Sequence, residues 1–203
     1  MSEVPPPKDK DEDFVDESGY KGAAKISMSE ALEADKGDEA LDKWKAALVA
    51  DVDTSSDESD PRQVIVDKLV ITTDYGAKFE FDLSTEAKVK AFCEQEMAFS
   101  LIEGCTYTMK ILFHVRKEIV AGFCYVNLVY KGPFRILKEQ QMFGSYASKA
   151  AQQQFTFPVK TAPKGPLARG KYTAKAKFTD DDKNLHLQIE YRFGIEKAPK
   201  PKK

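Results

Sequence analysis

The sequence predicts a mainly β protein, an antiparallel β-sandwich preceded by a flexible acidic arm with two short helices. From Val64 onward, apolar and polar residues alternate with a period of two, as in half-buried strands. Residues 1–60 carry 18 acidic and 7 basic side chains, and residues 61–203 carry 15 and 24, so the net charges are −11 and +9. The hydrophobic fraction of 42% is sufficient for one core. We therefore predict an arm over residues 1–60 and a sandwich over residues 61–203.

The arm contains two helix signals. Residues 1–18 are rich in proline and acidic side chains and contain too little apolar surface to order themselves. Ser27 and Glu30 have the spacing of a capping box that opens a short helix. Asp38 can cap a second helix, whose apolar face is formed by Leu41, Trp44, Ala47 and Leu48. Because so short a helix does not persist alone in water, that face must dock on this protein or on a partner. The acidic, serine-rich residues 51–61 are predicted to be a linker.

The strands are predicted from the alternation of apolar and polar residues. The apolar series are Phe79, Phe81, Leu83; Tyr107, Met109, Ile111, Phe113, Val115; Tyr172, Ala174, Ala176, Phe178; and Leu185, Leu187, Ile189, Tyr191, Phe193, Ile195. In the last strand His186 is assigned to the opposite, polar face. Turn residues at 103–104, 131–133 and 179–182 separate such strands, which favours an antiparallel sandwich. The segment 84–96 is the exception, since Ser84 and Glu86 can start a helical excursion.

The sequence offers little catalytic or ligand-binding chemistry. His114 and His186, the two histidines, have no Cys, Asp or Glu at metal-ligand or triad spacing, so we assign them structural roles. Asp180, Asp181 and Asp182 lack the spacing of a calcium loop and are expected to be solvated turn residues. No phosphate loop, hydrolase elbow or metalloprotease motif is present, so we predict a protein that is not an enzyme and has no metal or cofactor.

Composition restricts the cellular compartment and the classes of partner that we expect. No run of eighteen apolar residues and no secretory signal is visible. The three cysteines, Cys93, Cys105 and Cys124, have no CxxC spacing, which indicates reduced thiols in a cytoplasmic protein. The basic half has its lysines spread through strands without a nucleic-acid motif, so nucleic acid is not an expected partner.

Several ordered strings resemble the Rho GDP-dissociation inhibitor family. The longest is Ala162-Pro163-Lys164-Gly165-Pro166-Leu167-Ala168-Arg169-Gly170, which continues to Lys183. Others are residues 99–104 (FSLIEG), 117–122 (KEIVAG), 144–146 (GSY) and, in the arm, 35–41 with 43–45. Together they span roughly residues 20 to 197. Their order, spacing and combined length argue against a chance match to the family.

The resemblance implies an immunoglobulin-like sandwich that holds a geranylgeranyl chain between its sheets, with an arm that folds as a helical hairpin over the switch regions of a Rho-family GTPase. The implied prenyl-binding residues are Leu48, Val49, Ile71, Phe99, Leu101, Tyr107, Ile119, Ile189 and Tyr191. The implied switch-binding residues are Tyr20, Asp35, Asp38 and Trp44. The implied partners are prenylated Rho-family GTPases, preferentially with GDP bound, in a one-to-one complex with a monomer that contacts membrane surfaces transiently.

Three features depart from the family pattern. Lys160 and Thr161 stand where an acidic pair is expected near the basic tail of the GTPase, Tyr191 stands where tryptophan is usual, and the segment 84–97 is longer than usual.

The residues also leave two other functions open. One is a prenyl-binding solubilising factor of the phosphodiesterase-delta type, which does not inhibit nucleotide release, and the other is an intracellular immunoglobulin-like scaffold that adds partner strands at a sheet edge.

Overall fold

A computed structural model describes residues 60–116 and 119–198. The elements in this part of the chain are β1 (Val64–Thr73), β2 (Lys78–Asp82), α1 (Glu86–Cys93), β3 (Phe99–Ile102), β4 (Thr106–Val115), β5 (Val120–Lys131), β6 (Phe134–Tyr146), β7 (Gln153–Thr156), β8 (Lys160–Thr161), β9 (Gly170–Thr179) and β10 (Leu185–Glu196). They form two five-stranded sheets around one buried core. The fold is therefore mainly β and consistent with the predicted immunoglobulin-like sandwich.

The first sheet has the strand order β2-β1-β4-β7, with β8 also paired to β4. All of its ladders are antiparallel. The longest joins β1 to β4 and sets Ile71 opposite Met109. Alternation on β4 buries Met109, Ile111, Phe113 and Val115, as the sequence predicts.

The second sheet has the order β3-β10-β9-β5-β6. Its strands pair antiparallel except β3, which runs parallel to β10. The sequence predicts a purely antiparallel sandwich, so the parallel pair of β3 and β10 differs from the prediction. Strands β3 and β10 are separated in the chain by β4 to β9 and are not joined by a hairpin, and only a tight hairpin requires its two strands to pair antiparallel.

The helical excursion predicted within residues 84–96 is confirmed as α1. Its N-cap is Thr85, whose hydroxyl accepts from the Lys88 amide at 3.4 Å. Ser84, the predicted starting residue, instead donates its amide to the Asp82 carboxylate at 3.0 Å. Phe92 is buried and packs against Phe81 and Tyr191, with ring centroids 4.7 and 5.2 Å apart. The helix thus covers one open side of the sandwich.

His186 is not on the polar face where strict alternation places it. A register shift between Leu185 and Leu187 turns its side chain inward, where it is 5% exposed and lies 5.8 Å from the Phe123 ring. Its Nε2 lies 2.9 Å from Asp180, and burial lowers the pKa of its imidazole. A β-bulge adds one residue to a strand and so reverses the faces beyond it.

The prediction that Asp180 is solvated is also wrong, because its side chain is buried. Its carboxylate accepts from the Asn184 amide at 2.9 Å and from the Asn184 side chain at 2.9 Å. These bonds fix the turn between β9 and β10. His114, by contrast, forms a cross-strand pair with Asp67 at 2.7 Å between Nδ1 and Oδ2.

The three cysteines, all within the described residues, form no disulfide, and Cys105 and Cys124 are buried. No helix in the described ranges has the length and hydropathy needed to cross a bilayer. Within the same ranges, no group of three or more His, Cys, Asp or Glu side chains is placed to hold a metal ion.

Candidate functional site

A cavity of about 650 Å³ opens between the two sheets, at the end where β4 begins and β5 and β10 finish. Its volume lies within the roughly 300–1,000 Å³ usual for small-molecule sites. It is lined by Phe99, Leu101, Tyr107, Met109, Asn127, Val129, Ile136, Leu137, Lys138, Glu139, Lys160, Thr161, Ala162, Pro163, Tyr172, Tyr191, Phe193 and Ile195.

The parallel pairing of β3 with β10 builds one wall of the cavity. It sets Phe99 beside Phe193 and Leu101 beside Ile195. The Phe99 and Phe193 rings stack with centroids 5.4 Å apart, and Tyr172 stacks on Phe193 at 5.2 Å. The wall is thus a continuous aromatic and branched surface suited to an apolar ligand.

The tyrosine and asparagine side chains of the cavity are uncharged at neutral pH. Burial raises the pKa of Tyr107 to about 12 and also raises the pKa of Tyr191. The hydroxyls of Tyr191 and Tyr125 hydrogen-bond to each other. Asn127 is buried, and in the described structure its Oδ1 has no hydrogen-bond partner. The interior therefore suits a neutral, largely apolar ligand.

The charged residues that line the cavity are Lys138, Glu139 and Lys160. The Lys160 ammonium on β8 pairs with the Glu139 carboxylate on β6, which joins the two sheets at the rim. Lys160 also lies 5.5 Å from the centroid of the Phe157 ring. The position where the family pattern has an acidic residue is therefore occupied by a lysine that neutralises a carboxylate of the neighbouring sheet.

A clamped loop borders the mouth. The Glu103 carboxylate accepts two bonds from the Arg169 guanidinium, at 2.8 and 3.0 Å, and one from the Gly165 amide at 2.8 Å. These donors, led by Arg169, lower the pKa of Glu103 to about 2. The motif Ala162–Gly170 thus forms a fixed loop, and its first two residues line the cavity.

Four of the sequence-predicted prenyl-binding residues meet in this cavity: Phe99, Leu101, Tyr107 and Tyr191. Ile71 and Ile189 are buried in the core but do not line it. Ile119 is 49% exposed and precedes β5, roughly 30 Å along that strand from Val129 at the cavity. The structure therefore does not bring Ile119 to this site.

The remaining predicted site residues, Tyr20, Asp35, Asp38, Trp44, Leu48 and Val49, lie outside the described residues. The geometry also adds lining residues that the sequence did not single out. Met109, Tyr172, Phe193 and Ile195 follow from the inward faces of strands already recognised. Ile136 and Leu137 do not, because β6 is an edge strand whose side chains are mostly exposed and lack clear alternation.

Comparison with known proteins identifies the family. A family described as RHO protein GDP dissociation inhibitor matches residues 6–198. The chain belongs to the RHO protein GDP dissociation inhibitor family. The family is one of regulatory inhibitors, which places the chain among regulatory proteins rather than enzymes.

Individual members of the RHO protein GDP dissociation inhibitor family match over most of their length. Rho GDP-dissociation inhibitor 1 of Homo sapiens is 38% identical over 197 residues, covering 97% of this chain and 93% of the human protein. The probable rho GDP-dissociation inhibitor of Caenorhabditis elegans is 35% identical over 178 residues, covering 88% and 92%. A solved Niemann-Pick type C2 protein from the Japanese carpenter ant is 10% identical, with a TM-score of 0.35 over 52% of this chain and 86% of its own. That last likeness is too distant to bear on function.

Proposed function

We propose that this protein is a Rho GDP-dissociation inhibitor that binds prenylated Rho-family GTPases one to one, preferentially with GDP bound. It buries the isoprenoid in the cavity between its sheets, extracts the GTPase from membranes and slows GDP release with residues 1–60. It acts in the cytoplasm. The observation that carries the proposal is a cavity of about 650 Å³ lined mostly by aromatic and aliphatic side chains in a chain of this family.

The size of the hydrophobic effect makes the cavity a sufficient alternative to the bilayer. At about 0.8 kcal/mol per buried CH₂, an isoprenoid of about twenty carbons gains on the order of 10 kcal/mol on leaving water. Phe99, Tyr107 and Tyr191 stand on three strands of both sheets, so a linear chain between the sheets contacts each of them.

The arm supplies the second activity. GTPase switch loops are ordered by nucleotide and Mg²⁺, and nucleotide escapes when the loops open. A helix opened by Asp38 and carrying Trp44, laid across these loops, holds them closed. Aromatic anchors of this kind contribute much of the binding energy at interfaces. Leu48 and Val49, just beyond, then cover the cavity mouth.

Liposome sedimentation tests the proposal against its alternatives. The protein is mixed with vesicles that carry prenylated Rho GTPase, and the GTPase left in the supernatant is measured together with its rate of GDP release. A GDP-dissociation inhibitor moves the GTPase to the supernatant and slows release. A simple prenyl-binding factor does only the first, and an immunoglobulin-like scaffold does neither. Unprenylated GTPase is the control for the lipid.

A further inference from the structure

Two large apolar side chains are exposed on the turns beside the cavity mouth. Leu167, in the clamped loop, is 92% exposed, and Phe134, the first residue of β6, is 73% exposed. The same two segments contribute cavity lining through Pro163 and Ile136. Single exposed apolar residues are ordinary, but these two flank one opening. We call Leu167 and Phe134, with the neighbouring Lys131 and Lys164, the mouth surface.

Hydrogen bonds hold the mouth surface in place. The Lys131 ammonium, at the end of β5, donates to the carbonyl oxygen of Leu167 and, at 2.9 Å, to that of Arg169. The Glu103–Arg169 pair fixes the other side of the same loop. Leu167 is therefore presented outward by a braced loop that also touches the β5–β6 turn.

The surroundings of the mouth surface are basic. The two segments that carry the mouth surface, residues 131–139 and 160–170, contain six basic side chains and one acidic one: Lys131, Arg135, Lys138, Lys160, Lys164 and Arg169 against Glu139. Glu139 is paired with Lys160, and Glu103, which contacts the same loop, is paired with Arg169.

We propose that the mouth surface docks on an anionic membrane leaflet, with Leu167 and Phe134 entering the interface and the positive charge of the surrounding basic side chains attracting acidic headgroups. Neither the apolar side chains nor the basic charge suffices alone, since stable attachment to a membrane surface generally needs apolar insertion together with basic charge. Docking in this orientation turns the cavity opening toward the lipid. Only this last consequence rests on the proposed function, because docking itself requires no GTPase.

Vesicle binding by the full chain without any GTPase tests the proposal. Co-sedimentation is measured with phosphatidylcholine vesicles and with vesicles that also contain phosphatidylserine. We expect binding that requires phosphatidylserine and weakens with salt. Leu167→Asp should lower the partition coefficient roughly tenfold, since an apolar contact is lost and a repelled charge is gained. The matched control is Leu185→Asp, because Leu185 is 54% exposed at the start of β10, roughly 30 Å from the mouth. It should bind like the wild type.

Several results would overturn the proposal. One is no preference of the wild type for phosphatidylserine, and another is an equal loss of binding in Leu167→Asp and Leu185→Asp. A third is a Leu167→Asp protein that keeps vesicle binding but loses affinity for an unprenylated GTPase, which would assign the surface to the GTPase.

A prenylated C-terminal peptide, followed by fluorescence, separates this proposal from the proposed function. Leu167→Asp should bind the peptide as the wild type does. If it loses peptide binding and vesicle binding together, Leu167 belongs to the lipid site and the docking proposal is wrong. Failure of the wild type to bind the peptide would contradict the proposed function and leave the vesicle comparison intact.

Discussion

At the scale of single residues, the cavity combines satisfied and unsatisfied polar groups. The Tyr191 hydroxyl has a partner in Tyr125, whereas the Asn127 Oδ1 is buried without one in the described structure. A buried acceptor without a partner loses its hydration and gains nothing in return. We therefore expect Asn127 to lower both the stability of the sandwich and the affinity of the cavity for an apolar chain.

Replacing Asn127 with leucine should relieve both effects. We expect Asn127→Leu to raise the free energy of unfolding by about 1–2 kcal/mol and to tighten binding of a prenylated peptide, measured by urea unfolding and peptide fluorescence. Ser148→Ala is the control, because the Ser148 Oγ is also buried and unpaired among the described residues but lies outside the cavity lining. It should leave peptide affinity unchanged. A less stable Asn127→Leu protein would contradict this account.

Glu103 gives the fold a defined acid sensitivity. Its pKa is lowered from an ordinary 4.5 to about 2 by Arg169 and the Gly165 amide. A depressed carboxyl pKa stabilises the folded state above 4.5, and that contribution is lost as the pH falls toward 2. The melting temperature of Glu103→Gln should therefore lie below that of the wild type near neutral pH, and the gap should close across this range. Glu96→Gln, in an exposed pair with Lys171, should change little. A gap independent of pH would show that the Glu103 charge is not responsible.

At the scale of elements, alternation predicts which face of a strand is inward but not which strand lies beside it. The inward series of β9 is buried as predicted, and so is that of β4 except for Tyr107, which is partly buried. The parallel neighbour of β10 and the contribution of β6 to the cavity depend on tertiary pairing, which a period of two does not encode. A bulge reversed the prediction for His186. Fold class was thus predictable from the sequence, whereas the composition of the cavity wall was predictable only in part.

Ile136 and Ile119 test where along β5 and β6 the lipid lies. The two isoleucines are similarly exposed, at 53% and 49%, but only Ile136 lines the cavity. Ile136→Asp should weaken prenylated-peptide binding by about tenfold or more, because it places a charge against an apolar ligand. If the ligand occupies the cavity described above, Ile119→Asp should bind the prenylated peptide within about twofold of the wild type. Equal or greater loss in Ile119→Asp would mean that the sheets part further along β5, as the family resemblance implies.

At the scale of the whole molecule, charge is divided between two regions. Residues 1–60 have a net charge of −11 and residues 61–203 of +9, and the mouth of the cavity lies within the basic region. We propose that the sandwich binds the lipid and that the arm retains the nucleotide. Residues 1–59 lie outside the described residues, so the role of the arm is argued from sequence pattern and family membership.

The single tryptophan reports on the arm. Trp44 should become buried when a GTPase binds, so its emission should shift to shorter wavelength on complex formation, measured with a GTPase whose own tryptophans are replaced. Trp44→Phe should show no such change. An unshifted spectrum at saturation, with binding confirmed independently, would count against contact through this helix.

The most direct measurement of the central claim is the rate of GDP release from prenylated Rho GTPase at saturating inhibitor. The full chain is compared with residues 60–203, which retain all the described strands and the cavity and should fold because the missing segment has no core of its own. The account predicts that the full chain slows release, that residues 60–203 bind the prenylated GTPase without slowing it, and that Asp38→Ala with Trp44→Ala in the full chain behaves like the shorter protein. Full inhibition by residues 60–203, or no inhibition by the full chain, would contradict it.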